Sequence, residues 1–128
     1  MMYHALMQAA ERVRRKAYCP YSHFAVGAAL LAEDGTIYTG CNVENGSYSL
    51  GCCAERVAFF KAVSDGRKKF QAIAICGAPE GEEPDKPCPP CGACRQVMAE
   101  FCGDDFEVVL SDRIHLLGAL LPTRFKLE

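Results

Sequence analysis

The sequence predicts a three-layer α/β/α fold, with a mixed central sheet of about five strands and helices on both faces, as one domain over residues 1–128. Three observations lead there. Apolar residues recur at helical spacing in the opening segment and then give way to a nearly unbroken apolar run, the mark of a helix leading into a buried strand. Helical and strand-like segments alternate along the rest of the chain, which favours helices laid over a sheet. Half of the 128 residues are hydrophobic, enough for one sizeable core in a chain of this length.

In order, residues 2–18 carry Leu6, Ala9, Ala10, Val13 and Ala17 between charges and predict an amphipathic helix, ended by Pro20. Arg12, Arg14, Arg15 and Lys16 read as its solvated face. A turn at 20–22 leads to a buried strand over 24–31. Glu33-Asp34-Gly35 has hairpin-turn chemistry, and a second strand is expected over 36–43. Residues 44–52 are polar and contain glycine, so they predict a loop. A second helix starts at about Cys53 and stops at Asp65-Gly66. Residues 70–78 form a third strand, and the prolines of 79–90 make that segment a loop. A third helix is expected from about Cys91 to Phe101, then a fourth strand over 106–110. Residues 111–128 read as a last strand and a short Leu-rich helix halted by Pro122.

Composition narrows the function classes. A net charge of −2 provides no electrostatic footprint for a polyanion, so no obligate nucleic-acid partner is expected. No apolar run reaches the roughly 20 residues of a membrane span, and no export signal is recognisable at the start. The nine cysteines would suit a disulfide scaffold in a secreted chain. Without an export signal they predict a cytoplasmic protein, with some thiols on a metal and the rest buried as small apolar residues.

Cys53-Ala54-Glu55-Arg56 and Pro90-Cys91-Gly92-Ala93-Cys94-Arg95 carry the chemistry. Cys91 and Cys94 share one face of a first helical turn, and Cys53 opens the other helix. At both helix starts, free N–H groups and the dipole favour thiolates. Three thiolates suit one zinc ion and leave its fourth position open, the arrangement of catalytic rather than structural sites. Glu55, two residues from Cys53, can flank that position and take a proton from water, whose pKa the metal lowers from about 15.7 to near 7. Three thiolates on Zn²⁺ leave an excess negative charge, which Arg56 and Arg95 are placed to offset. The alternatives are a zinc knot closed by Cys52 or Cys88, a redox dithiol at Cys91 and Cys94, or a zinc-stabilised binding module without turnover.

C-A-E followed by P-C-x-x-C is the zinc-deaminase signature. With Ser22-His23-Phe24-Ala25-Val26-Gly27-Ala28-Ala29, Gly40-Cys41-Asn42-Val43-Glu44-Asn45, Ser47-Tyr48 and the Arg95-Gln96 that follows Cys94, the chain resembles the cytidine deaminases of the short, all-cysteine type over nearly its whole length. Blasticidin-S deaminases share C-A-E and P-C-x-x-C-R-Q, but the E-N-x-S-Y stretch is closer to cytidine deaminase. The resemblance implies hydrolytic deamination of cytidine or deoxycytidine in pyrimidine salvage. It implies one Zn²⁺ per subunit on Cys53, Cys91 and Cys94, with Glu55 as acid/base and Arg56 beside the thiolates. It further implies that Phe24 stacks on the pyrimidine, that Asn42 and Glu44 hold the ribose 3′-hydroxyl, and that Ala54 also contacts substrate. A homotetramer follows from the same resemblance, with Tyr48 and Phe125 lining a neighbour's pocket. As an apolar strand residue, Phe24 on its own reads as core.

Overall fold

Nine-residue β1 (Phe24–Ala32) is the axis of the structure, a computed structural model that describes residues 3–127. It pairs antiparallel with β2 (Ile37–Cys41) on one side and β3 (Phe70–Pro79) on the other. β4 (Glu107–Val109) runs parallel to β3, and β5 (Ile114–Leu116) closes the edge antiparallel to β4. The sheet order is β2-β1-β3-β4-β5, the expected mixed five-stranded sheet. Gly35, at φ 93, turns the β1–β2 hairpin in a conformation that glycine adopts without steric cost.

Side-chain alternation along the strands divides the core into two layers. Ala28, Leu30, Ile73, Ile75 and Val108 face α2 (Ala54–Ser64) and α3 (Gly92–Phe101). Ala29, Ala72, Ala74 and Cys76 face α1 (His4–Arg14) on the other side. α4 (Leu117–Leu120) is the short Leu-rich helix expected before Pro122. Phe59 of α2 is fully buried at the centre of the larger layer, with the rings of Phe70, Phe101 and Phe106 at 5.1, 6.1 and 6.2 Å. Among the described residues no helix is long and apolar enough to cross a membrane.

Three sequence expectations need correction. The first helix ends at Arg14, four residues before residue 18, and the start of the expected range, Met2, lies outside the described residues. Tyr18 leaves the helix because its backbone is used elsewhere: its N–H donates to the Asn42 carbonyl and its carbonyl accepts from Glu44 N–H. The 44–52 loop contains a 3-10 turn at Tyr48–Leu50, and Val43 reaches across to pair with Cys52. The third correction concerns Arg14, which is buried rather than solvated.

Close approach of α2 to the sheet depends on Gly40 of β2. A methyl group there would sit 2.4 Å from the Ala54 carbonyl oxygen and 2.6 Å from the Ala58 nitrogen. Both neighbours are helix backbone, which cannot swing aside. Gly40→Ala should therefore cost about 3 kcal/mol, the upper part of the usual overpacking range, read as a lower denaturation midpoint. An unchanged midpoint would show that α2 does not press on β2 in this way.

Candidate metal centre and active site

Two helix starts build the site. Cys53 is the N-cap of α2 and Cys91 the N-cap of α3, both with extended backbone (ψ 154° and 169°). Cys94 lies in the first turn of α3 and is completely buried. The two helices lie on the same face of the sheet, so their first turns converge, and the three sulfurs all lie within 4.8 Å of one another. Sγ of Cys91 is 3.8 Å from Sγ of Cys53 and 3.5 Å from that of Cys94. Thiolates at about 2.3 Å around a tetrahedral zinc stand about 3.8 Å apart, so the spacing fits that ion. The donor set fits as well, since three soft sulfurs from helix starts suit zinc. Among the described residues, neither Cys52 nor Cys88 belongs to this group. The knot closed by a fourth cysteine is not formed.

The surroundings favour a thiolate at Cys53 in particular. Without a metal, Cys53 is brought down to about 5, first by a hydrogen bond from the Cys94 thiol and then by Arg56 and Cys91. Cys94 moves the opposite way, held protonated by that same bond and by burial. The Arg56 Nη2 lies 3.5 Å from Cys53 Sγ, and its pKa is raised by that partner. Its Nε is buried without an acceptor, so the guanidinium faces the sulfurs with little else to balance it. Arg95, expected to share this task, turns away. Its Nε donates to the Pro90 carbonyl at 2.9 Å and its Nη1 to the Leu120 carbonyl at 2.8 Å. It ties the start of α3 to α4 instead of offsetting the thiolates.

Glu55 occupies the first turn of α2 beside Cys53 and is 5% exposed. Burial disfavours its charged form and raises the carboxyl to about 7, with a further contribution from the Cys53 thiolate. A carboxyl that ionises near neutrality, next to a three-sulfur group, can both accept and return protons under ordinary conditions.

The other predicted residues fall into two groups. Phe24 stands at the start of β1, 38% exposed, with its ring edge at the bare backbone of Gly77. Asn42 grips the same strand: its Oδ1 accepts from Val26 N–H at 2.9 Å and its Nδ2 donates to the Phe24 carbonyl at 2.9 Å. Glu44 accepts from the backbone N–H groups of Tyr21 and Ser22 at 3.0 and 3.1 Å and from the Ser22 hydroxyl. The Ser22 hydroxyl is the leading cause that holds its carboxyl below the usual range. Glu44 and Tyr48 line a cleft of about 320 Å³ with Tyr21, Ser22, Asn45 and Gly51. Ala54 is completely buried at the start of α2, beside Glu55. Tyr48 and Phe125 are 81% and 70% exposed, and Gln96 Nε2 donates to the Phe125 carbonyl at 3.3 Å.

Sequence reasoning passed over Ser22, which carries the grip on Glu44, and the buried Arg14. A signal for the second existed: Leu6, Ala10 and Arg14 are four residues apart and share one stripe of α1.

Residues 2–110 match a family described as the cytidine and deoxycytidylate deaminase zinc-binding region. A cytidine deaminase from Sporosarcina psychrophila is 57% identical, covering 96% of this chain and 90% of that protein. The crystal structure of a cytidine deaminase from Burkholderia pseudomallei superposes with a TM-score of 0.87 at 49% identity, covering 98% of this chain and 100% of the other. A blasticidin-S deaminase from Bacillus cereus is 32% identical over a shorter stretch, 66% of this chain and 62% of that protein.

Proposed function

The chain belongs to the cytidine and deoxycytidylate deaminase family and is a zinc-binding deaminase, and we propose that it hydrolyses cytidine or deoxycytidine to uridine or deoxyuridine and ammonia. The observation that carries this reading is the group of three thiols with the buried Glu55 beside it. The near-full-length likeness to cytidine deaminases favours a nucleoside over an antibiotic substrate.

When bound, zinc supplies Lewis acidity that makes water a usable nucleophile near neutral pH. Cys53, Cys91 and Cys94 hold it, and Arg56 balances part of their charge. Glu55 takes a proton from the attacking water as oxygen bonds to C4 of the base, and passes it to N3. As the new C4 hydroxyl becomes the carbonyl, its proton passes through the same carboxyl to the exocyclic amine, so the C4–N bond breaks and ammonia leaves. Burial supports this role, because it disfavours the charged carboxylate and so favours uptake of a proton.

Phe24 offers its exposed ring to the pyrimidine, and Asn42 and Glu44 hold the ribose. Each of their side chains is already braced against the backbone of residues 21–26, which fixes its direction before substrate arrives. Ala54, the first residue of α2 and next to Glu55, contacts the substrate as well. Tyr48 and Phe125, largely bare on the single chain, line the pockets of neighbouring subunits in a homotetramer. All nine cysteines are free thiols, which suits a reducing cytoplasm and a place in pyrimidine salvage.

The direct test is ultraviolet assay of the zinc-loaded protein with cytidine, deoxycytidine, cytosine and blasticidin S. Loss of the nucleoside spectrum with release of ammonia is expected. Turnover of the antibiotic alone, or of nothing, overturns the reading. Asn42→Ala refines it: kcat/KM should fall much further for cytidine than for cytosine, since ribose contacts help to place C4. Because Asn42 also braces β1, the variant should lose about 1–3 kcal/mol of stability as well. Equal losses on both substrates would reduce Asn42 to that brace.

A further inference from the structure

Arg14, the last residue of α1, is 8% exposed, although it sits in a run of basic residues. Its Nε donates to the Ala25 carbonyl at 3.0 Å. Its Nη2 lies 3.1, 2.9 and 2.8 Å from the carbonyls of Ala78, Pro79 and Glu82. Arginine cannot escape burial by releasing its proton, so such a site persists only where acceptors replace water. Here the acceptors are main-chain carbonyls from three separate segments: the start of β1, the end of β3 and the loop that leads to Cys91.

These segments meet at the edge of the candidate active site. Ala25 pairs with Ala78, and Phe24 with Pro79, in the β1–β3 register. The guanidinium therefore closes the end of the ladder from which Phe24 projects. The approach of α1 that allows this depends on Gly27, where a methyl group would lie 2.0 Å from the Ala10 carbonyl oxygen and 2.8 Å from Arg14 N. The adjoining chain is held in turn. Glu80 N–H donates to the His23 carbonyl at 2.8 Å, and His23 is kept at φ 57, a conformation that needs such support in a residue with a side chain. Asn42 holds the Phe24 carbonyl, and Arg14 the carbonyl of the next residue.

We infer that Arg14 is a positioning residue for the deamination: by locking the ends of β1 and β3 it holds the Phe24 ring as a wall of the nucleoside site, and so sets substrate affinity more than the chemical step. This rests on the deaminase reading above. A purely structural arginine would lower stability and leave the kinetics of the folded protein alone.

The test compares wild type, Arg14→Met and Arg14→Lys as full-length, zinc-loaded protein, recording zinc content, Tm, kcat and KM for cytidine. Loss of binding shared by ground and transition states raises KM at constant kcat, so Arg14→Met should show KM up by about 10-fold with kcat within about 3-fold of wild type. Zinc should stay at one per chain. Lysine keeps the charge but places its donors on one nitrogen, and should give an intermediate KM. Should Arg14→Met fail to fold, Arg14→Lys decides alone. In a Phe24→Ala background, Arg14→Lys should add little further rise in KM, because residues that act through one another are not additive. A folded variant with lower Tm and KM within about twofold of wild type overturns the inference, as does a loss confined to kcat. A wild-type protein without turnover overturns the deaminase reading and this inference together, whereas wild-type turnover with an unmoved KM in the variants overturns this inference alone.

Discussion

Glu55→Gln should yield a folded, zinc-loaded protein whose turnover of cytidine is lower by about 10⁴-fold or more. General acid–base catalysis is commonly worth about 10²–10⁴ in rate, and here one carboxyl serves several proton transfers, so the upper end applies. The substitution keeps the volume and most of the hydrogen bonding of a side chain that is 5% exposed, and it removes the ability to take up and release a proton. Metal content should not change, since Glu55 is not among the three sulfur donors. Stability offers an independent reading in the metal-free protein. The folded-state pKa of Glu55, about 7, lies above its ordinary value of 4.5. Its contribution to stability is therefore complete below about 4.5 and is lost as pH rises through about 7. Removing the titration should flatten the stability of the metal-free variant across that window relative to metal-free wild type. A Glu55→Gln protein that lacks zinc, or that deaminates at near wild-type rate, would disprove the mechanism.

Cys94→Ala should be the most damaging of the ligand substitutions. Cys94 is completely buried in the first turn of α3, and its loss leaves two thiols that belong to different helices. Zinc should fall well below one per chain, turnover should vanish and Tm should drop. The fall should exceed what a lost sulfur contact explains, because zinc binding at cysteine sites is worth on the order of 10 kcal/mol and is coupled to folding. Cys53→Ala and Cys91→Ala should also lose zinc and turnover, with a smaller fall in Tm because neither thiol is completely buried. Cys19→Ala and Cys76→Ala should retain the metal, since both thiols are buried outside the sulfur group. Release of zinc by Cys52→Ala or Cys88→Ala would show the ligand assignment to be wrong.

Local signals sufficed wherever a segment's environment is uniform. The middle of β1 is buried on both sides, Ala28, Ala29 and Leu30 completely, so its apolar run marks the strand, and its start at Phe24 was legible although that residue is exposed. Cys53 and Cys91 were legible as helix starts because a stop or turn precedes each helical pattern. The end of α1 was not. Helical spacing continues to Ala17, but Tyr18 donates its N–H to the Asn42 carbonyl and accepts from Glu44 N–H, residues far along the chain, and this draws the backbone away. Arg14 was misread for a related reason. Charge density assigned it to solvent, whereas its acceptors come from residues 25, 78, 79 and 82, which no local window contains.

The site divides along the same line. By itself the sequence determined the donor chemistry: three cysteines at helix starts, a glutamate two residues from the first, and an arginine one residue beyond it. Within each helix those relations are set by the geometry of a single turn, so spacing alone carries them, whereas the convergence of Cys53 with Cys91 and Cys94 requires α2 and α3 to lie on one face of the sheet. Only the tertiary structure decided that Arg56 faces the Cys53 sulfur while Arg95 turns to the carbonyls of Pro90 and Leu120. It also decided that Asn42 and Glu44 are braced against residues 21–26 before any ligand binds, and that neither Cys52 nor Cys88 reaches the sulfur group. The physical reason is that a polar side chain is directed by where its hydrogen-bonding partners lie, and here those partners reach it through sheet register and helix packing rather than through neighbouring sequence.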